Sequence, residues 1–161
     1  MIDFEHLVRI NDRDDPRIQP LSRGQLWRGL LARAERPQLF VVGLESSRID
    51  ERSDTHLVRT LSFGNLTVHD RVTLDPLVQV VHDVEPGPGY PASRLTIRIE
   101  EPSPGDLFLR FVYRASTRGE PTGMDRFYGD HVRQAYLQAD LDAVRVMRDL
   151  AEQGALGAED E

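Results

Sequence analysis

The sequence predicts an α+β fold in which a curved, seven-stranded antiparallel sheet wraps around one long C-terminal helix, with two short helices between strands 1 and 2. Three observations predict it. Residues 44–118 alternate apolar and polar positions with turn residues at regular intervals, the pattern of an antiparallel meander. Residues 123–153 repeat their apolar positions every three or four residues, the pattern of a long amphipathic helix. An alternating segment near the N-terminus adds a seventh strand, separated from the meander by a capped helical stretch.

In chain order, Phe4, His6, Val8 and Ile10 share one face of a first strand over residues 3–11. Asn11 to Pro20 has the composition of a loop. Ser22 and Gln25 then form a capping box ahead of Leu26, Trp27, Leu30 and Leu31, which predicts a helix over 23–35 with Trp27 as a packing residue. Pro37 starts a short second turn or helix around 38–41, and Gly43 ends it. Six strands follow near 45–52, 55–63, 66–75, 78–85, 93–101 and 107–117, separated by segments rich in Gly, Pro, Asp and Ser. Thr122 and Asp125 cap the last helix, whose apolar positions include Phe127, Tyr128, Tyr136, Val144 and Met147, and Gly154 closes it. Some 30 residues at 1.5 Å each give roughly 45 Å, enough to cross a sheet whose strands span ~30 Å. The expected organisation is one domain over 1–157 and a disordered acidic tail over 158–161.

Composition narrows the function. A formal net charge of −7 argues against broad nucleic-acid binding, which needs a basic stripe to displace phosphate counterions. The chain has no stretch of ~20 apolar residues, so no membrane insertion is expected. The N-terminus lacks the basic and apolar segments of a secretory signal, and a cytoplasmic location is the simplest expectation. With no cysteine, disulfides and thiolate metal sites are excluded. The five histidines are scattered and match no metal motif, Pro86-Gly87-Pro88-Gly89 is not a phosphate loop, and no nucleophile elbow is present. No metal or other cofactor is expected.

The element order is similar to the helix-grip fold of START domains, polyketide cyclases and plant pathogenesis-related allergens. Phe4-Glu5-His6-Leu7, Leu21 to Leu30 and Phe63 to Val72 further resemble the AtaL-like branch of that START/Bet v 1 (SRPBCC) superfamily, over nearly the full length. The resemblance implies a cavity between sheet and terminal helix that holds a small hydrophobic or amphipathic molecule, with enzymes as a minority.

Within that frame the Gly64-Asn65 turn sets a register. It pairs Phe63 with Leu66, Leu61 with Val68, Arg59 with Asp70 and Leu57 with Val72, which places an Arg59–Asp70 ion pair on the concave face. If Asp75-Pro76-Leu77 is a three-residue loop, His82 lies opposite Asp70 and completes a transverse polar row; a change of loop length by two would put His82 beside Val72 instead. Such a row either satisfies itself structurally or orients a ligand, with Arg59 anchoring a carboxylate or enolate oxygen. Under the second reading Arg59→Met weakens binding more than folding.

Further candidates are His6, more simply a satisfied core histidine, and Tyr113, whose hydroxyl reaches either the cavity or a backbone partner. Leu61, Val68, Phe111, Tyr128 and Tyr136 complete the expected ligand wall, while His56 and His69 point away from it. Three functions follow in order of preference. The first is binding without catalysis. The second is a cyclase, dehydratase or aromatase chemistry with Asp70 or His82 as general acid or base and Arg59 holding an oxyanion. The third is a protein-interaction or chaperone-assisting module using the outer surface. Homodimerisation remains open.

Overall fold

A computed structural model describes residues 2–88, 90–115 and 123–157, without the side chains of Ile2 and of residues 123–131. Strand β1 (Ile2–Arg9) leads into helix α1 (Arg23–Glu35) and a 3-10 turn (Pro37–Leu39). Strands β2 (Ser46–Arg52), β3 (His56–Phe63), β4 (Leu66–Asp75), β5 (Gln79–Val84), β6 (Ser93–Ser103) and β7 (Asp106–Ala115) follow, and helix α2 (Gly123–Glu152) ends the fold. The sheet is antiparallel throughout, in the order β1-β7-β6-β5-β4-β3-β2. This is the predicted seven-stranded architecture. The predicted helix caps at Thr122 and Asp125, Tyr128, and the tail over 158–161 lie outside the described residues or side chains.

The local signals act as their chemistry requires. At α1 the Ser22 hydroxyl accepts from the Gln25 backbone N–H at 3.1 Å, and the Gln25 side chain returns a bond to the Ser22 N–H at 3.0 Å. Strand β1 is shorter than predicted because Asn11 leaves the ladder to fasten the following loop. Its buried amide donates to the carbonyls of Leu21 and Gly105, both at 2.9 Å, and accepts from the Leu21 N–H at 2.9 Å.

One face of the sheet and both helices share a core. Leu57, Val72, Val80, Ile97, Leu109 and Phe111 from the strands pack with Leu26, Trp27 and Leu30 of α1 and with Ala143, Val144 and Met147 of α2. Gly29 lets the two helices close on each other: a Cβ there would meet the Met147 side chain at 3.0 Å. At this end of the sheet apolar burial is complete.

Candidate functional site

Among the described residues, the other end is not filled. Where α1 stops at Glu35, a partly enclosed cavity of about 210 Å³ remains between the sheet, α1 and α2. Leu61, Phe63, Val84 and Leu95 supply apolar wall, and Arg33, Arg59, Asp70, His82 and Tyr113 supply polar groups.

Residues Arg59 and Asp70 are cross-strand partners in the register that the Gly64-Asn65 turn predicts. Gly64 takes φ +61, the left-handed first position that a two-residue hairpin turn of type II′ demands. The pair is bidentate: Arg59 donates from Nε to Asp70 Oδ1 at 2.8 Å and from Nη2 to Oδ2 at 2.5 Å. Its Nη1 donates to the Ala34 carbonyl at 2.9 Å, one of the carbonyls left open at the end of α1. One guanidinium thus ties β3, β4 and α1 together, and both charges are buried.

The β4–β5 connection departs from the first of the two predicted registers. Val72, not Asp70, faces His82, and Asp70 faces Val84. The loop is Pro76-Leu77-Val78, closed by a Val78 N–H to Asp75 carbonyl bond at 3.0 Å. Proline's fixed φ suits the second position of a turn, so the turn starts at Asp75 and the loop moves one residue along the chain. Leu77 then sits at φ +66, a slot that favours glycine. His82 still joins the polar group on a diagonal, its Nδ1 at 3.4 Å from Arg59 Nη2.

Its other nitrogen meets a residue that the sequence reasoning passed over. His82 Nε2 lies 3.2 Å from Nη1 of Arg33, in the last turn of α1. Position 33 is three residues beyond Leu30 and seven beyond Leu26, so the helical stripe itself carries this arginine toward the sheet. A neutral imidazole has one lone pair for its two guanidinium neighbours. Burial, with Arg33 and Arg59 adding repulsion, holds the His82 pKa well below the ordinary histidine value. The ring is therefore neutral at pH 7, with its basic nitrogen occupied.

A second polar group lies across the sheet. Tyr113 donates its hydroxyl to the Asp140 carboxylate at 2.7 Å, and His6 Nε2 lies 2.6 Å from the same group. Asp140, on α2, is 2% exposed. Burial pushes its pKa up, opposed by the bonds from Tyr113 and His6. Burial, with Asp140 beside it, pushes the Tyr113 phenol up as well. The Tyr113 ring stacks between Phe4 and Tyr136, with centroids at 5.0 and 4.5 Å. Asp140 was legible in principle, because it falls four residues after Tyr136 and four before Val144 on the apolar stripe of α2.

Among the expected ligand-wall residues, Arg59, Asp70, His82, Leu61, Tyr113 and Tyr136 line the cavity. Three do not. Phe111 is fully buried in the filled end, where the His6 ring packs against it at 5.5 Å, and Val68 lies beyond the cavity wall. His69 is exposed and bonds Thr60 at 3.2 Å, and His56 bonds Ser53 at 2.7 Å. Among the described residues no three His, Asp or Glu side chains converge as metal ligands. No helix there is long and apolar enough to cross a membrane.

The profile of the family described as "Acetylaranotin biosynthesis cluster protein L" (AtaL) matches residues 8–154. The chain belongs to the AtaL family. No curated protein matches its sequence. Among solved structures, the AtaL-family chain is similar to the di-domain aromatase/cyclase StfQ of the steffimycin biosynthetic pathway, with a TM-score of 0.70, 13% identity, and 96% of this chain against 52% of that one. It thus spans about half of StfQ. The aromatase/cyclase Zhui from Streptomyces sp. R1128 matches with a TM-score of 0.63 and 15% identity over 94% of each chain. The allergen Ara h 8.0201 matches with a TM-score of 0.63 and 14% identity, covering 94% of this chain and 97% of that one. All belong to the START/Bet v 1-like superfamily, and at such identities the likeness is one of fold.

Proposed function

We propose that this AtaL-family chain binds a small amphipathic molecule in the cavity between its sheet and its two helices, and that it holds the molecule without transforming it. The carrying observation is the space itself: about 210 Å³ bounded by Leu61, Phe63, Val84 and Leu95, with a few buried polar groups at fixed positions. Such a wall takes up apolar ligand surface and orients it through a small number of contacts. Binding is favoured over catalysis because the candidate acid–base groups are already committed. Asp70 accepts two bonds from Arg59, and both His82 nitrogens face guanidinium groups. In this reading the chain works in the cytoplasm as one domain without membrane insertion.

Native mass spectrometry of protein purified from its own host tests the proposal. A small molecule is expected at one per chain, and it is lost in Leu61→Trp, which fills the cavity while leaving the unfolding transition cooperative. Recovery of the bare chain alone, or of a mass that persists in Leu61→Trp, contradicts it. A recovered product differing from the added compound supports the cyclase or aromatase alternative, for which the aromatase/cyclase fold neighbours are the specific motive.

A further inference from the structure

Among the described residues, four arginines line the cavity: Arg33, Arg59, Arg94 and Arg114. Three have a carboxylate. Arg59 pairs with Asp70 at 2.5 Å, Arg94 with Asp83 at 2.6 Å, and Arg114 with Asp3. Arg33 has none among the described residues; its one hydrogen-bond partner is the His82 imidazole. That ring cannot neutralise it, since a neutral imidazole offers a lone pair and no charge. Burial holds the Arg33 pKa below the ordinary arginine value, with Arg59 adding to this while Tyr113, Asp140 and Asp70 oppose it. Even so, a guanidinium starts so high that it stays charged.

Arg33 is half-buried and lines the cavity with no carboxylate bonded to it among the described residues, so its unused N–H groups can meet an anion that enters. From this placement we infer that the molecule bound in the cavity is a monoanion, a carboxylate or comparably acidic oxygen on an apolar body, and that Arg33 is the residue that pairs with its acid head. The inference rests on the cavity being the binding site, and it names the class of ligand and the anchoring residue. Arg59 is not the anchor, because three of its five N–H groups are spent on Asp70 and Ala34. Nor does the protein's overall field attract anions: the net charge is −7, so any preference for an acid has to arise locally. On binding, the acid takes hydrogen bonds from Arg33 N–H groups that His82 does not use, while Arg33 Nη1 keeps its place beside His82 Nε2.

The test uses probes that differ in charge and little else: benzoate with benzamide, cinnamate with cinnamamide, and octanoate with octanamide, titrated into the full chain and followed by its backbone amide NMR shifts. The acid of at least one pair is expected to bind at least tenfold more tightly than its amide. In Arg33→Met the ratio falls to within about twofold while the amide affinity is retained, and Arg33→Lys keeps part of the preference. Arg33→Gln repeats the reading with a polar side chain, and thermal unfolding of each variant verifies the fold. Equal affinities for acid and amide in the parent overturn the inference and leave the cavity reading standing. So does an acid preference that survives in both Arg33→Met and Arg33→Gln. Absence of binding by all six probes sinks the cavity reading itself, and the inference with it.

Discussion

Replacing Arg59 by methionine is the sharpest test of how the polar cluster is built. The substitution keeps much of the side-chain volume and deletes the guanidinium. It removes two hydrogen bonds to Asp70, at 2.8 and 2.5 Å, and one at 2.9 Å to the Ala34 carbonyl. What remains is the Asp70 carboxylate, 3% exposed and with no other hydrogen-bond partner among the described residues. Breaking a buried pair from one side costs about 3–5 kcal/mol, because the surviving charge is left uncompensated. For a chain of this size, at about 2–4 °C per kcal/mol, the unfolding midpoint should fall by about 6–20 °C. Under the ligand-contact reading of the sequence Arg59→Met weakens binding more than folding; the geometry predicts the opposite order. The companion variant Arg59→Met/Asp70→Leu replaces the whole pair with apolar groups and should recover most of the loss, leaving about 1–3 kcal/mol for the unpaired helix carbonyl. Urea unfolding of the parent, the single and the double variant gives both numbers. A single variant within about 1 kcal/mol of the parent, or a double variant no more stable than the single, refutes the reasoning.

Two predictions concern pH. His82 has its folded pKa below the ordinary 6.5, so its contribution to stability is complete above pH 6.5 and erodes as pH falls below it. His82→Gln should flatten the stability curve on the acid side of 6.5 by up to about 1.4 kcal/mol per pH unit, and an unchanged slope contradicts the assignment. Asp140 has its folded pKa raised above 3.8, so its contribution is complete below 3.8 and is lost as pH rises through the raised value. Asp140→Asn should therefore gain on the parent in urea midpoints as pH rises above 3.8; a gap that stays constant argues against a raised carboxyl. A third prediction concerns the backbone. Leu77, half-exposed at φ +66, carries strain of about 1–2 kcal/mol that glycine relieves at an entropic cost of about 0.5–1 kcal/mol, so Leu77→Gly should be neutral to mildly stabilising in the same assay. A loss above about 1 kcal/mol would show that the turn is not strained as described.

The fold was legible because its signals are local. Strand alternation, the Ser22 capping box and the Gly64-Asn65 turn each act within a few residues, and the turn carried the Arg59–Asp70 pairing with it. The β4–β5 register was legible only in part, because moving the loop by one residue changes the facing residue by two, and Pro76 alone carried the information that decides it. Arg33 and Asp140 escaped for a different reason. Helical stripes were read for their apolar members, and a charge within a stripe was passed over although its spacing matched. The Tyr113–Asp140 bond was beyond reach, since which turn of α2 meets which strand is set by packing between residues 27 positions apart in the chain. Volume left unfilled at one end of a sheet has no local signature either.

The central claim is that a small molecule enters the space beside Leu61, Val84, Leu95 and Tyr113. Backbone amide NMR shifts on titration with cinnamamide, a neutral probe indifferent to the charge argument, test this most directly. The account predicts saturable shifts confined to the stretches of β3 to β7, the end of α1 and the turn of α2 around Tyr136 that border that space. Shifts centred elsewhere, for instance on the second cavity lined by Leu21 and Arg148 near the start of α1, or no saturable shift at all, would contradict it.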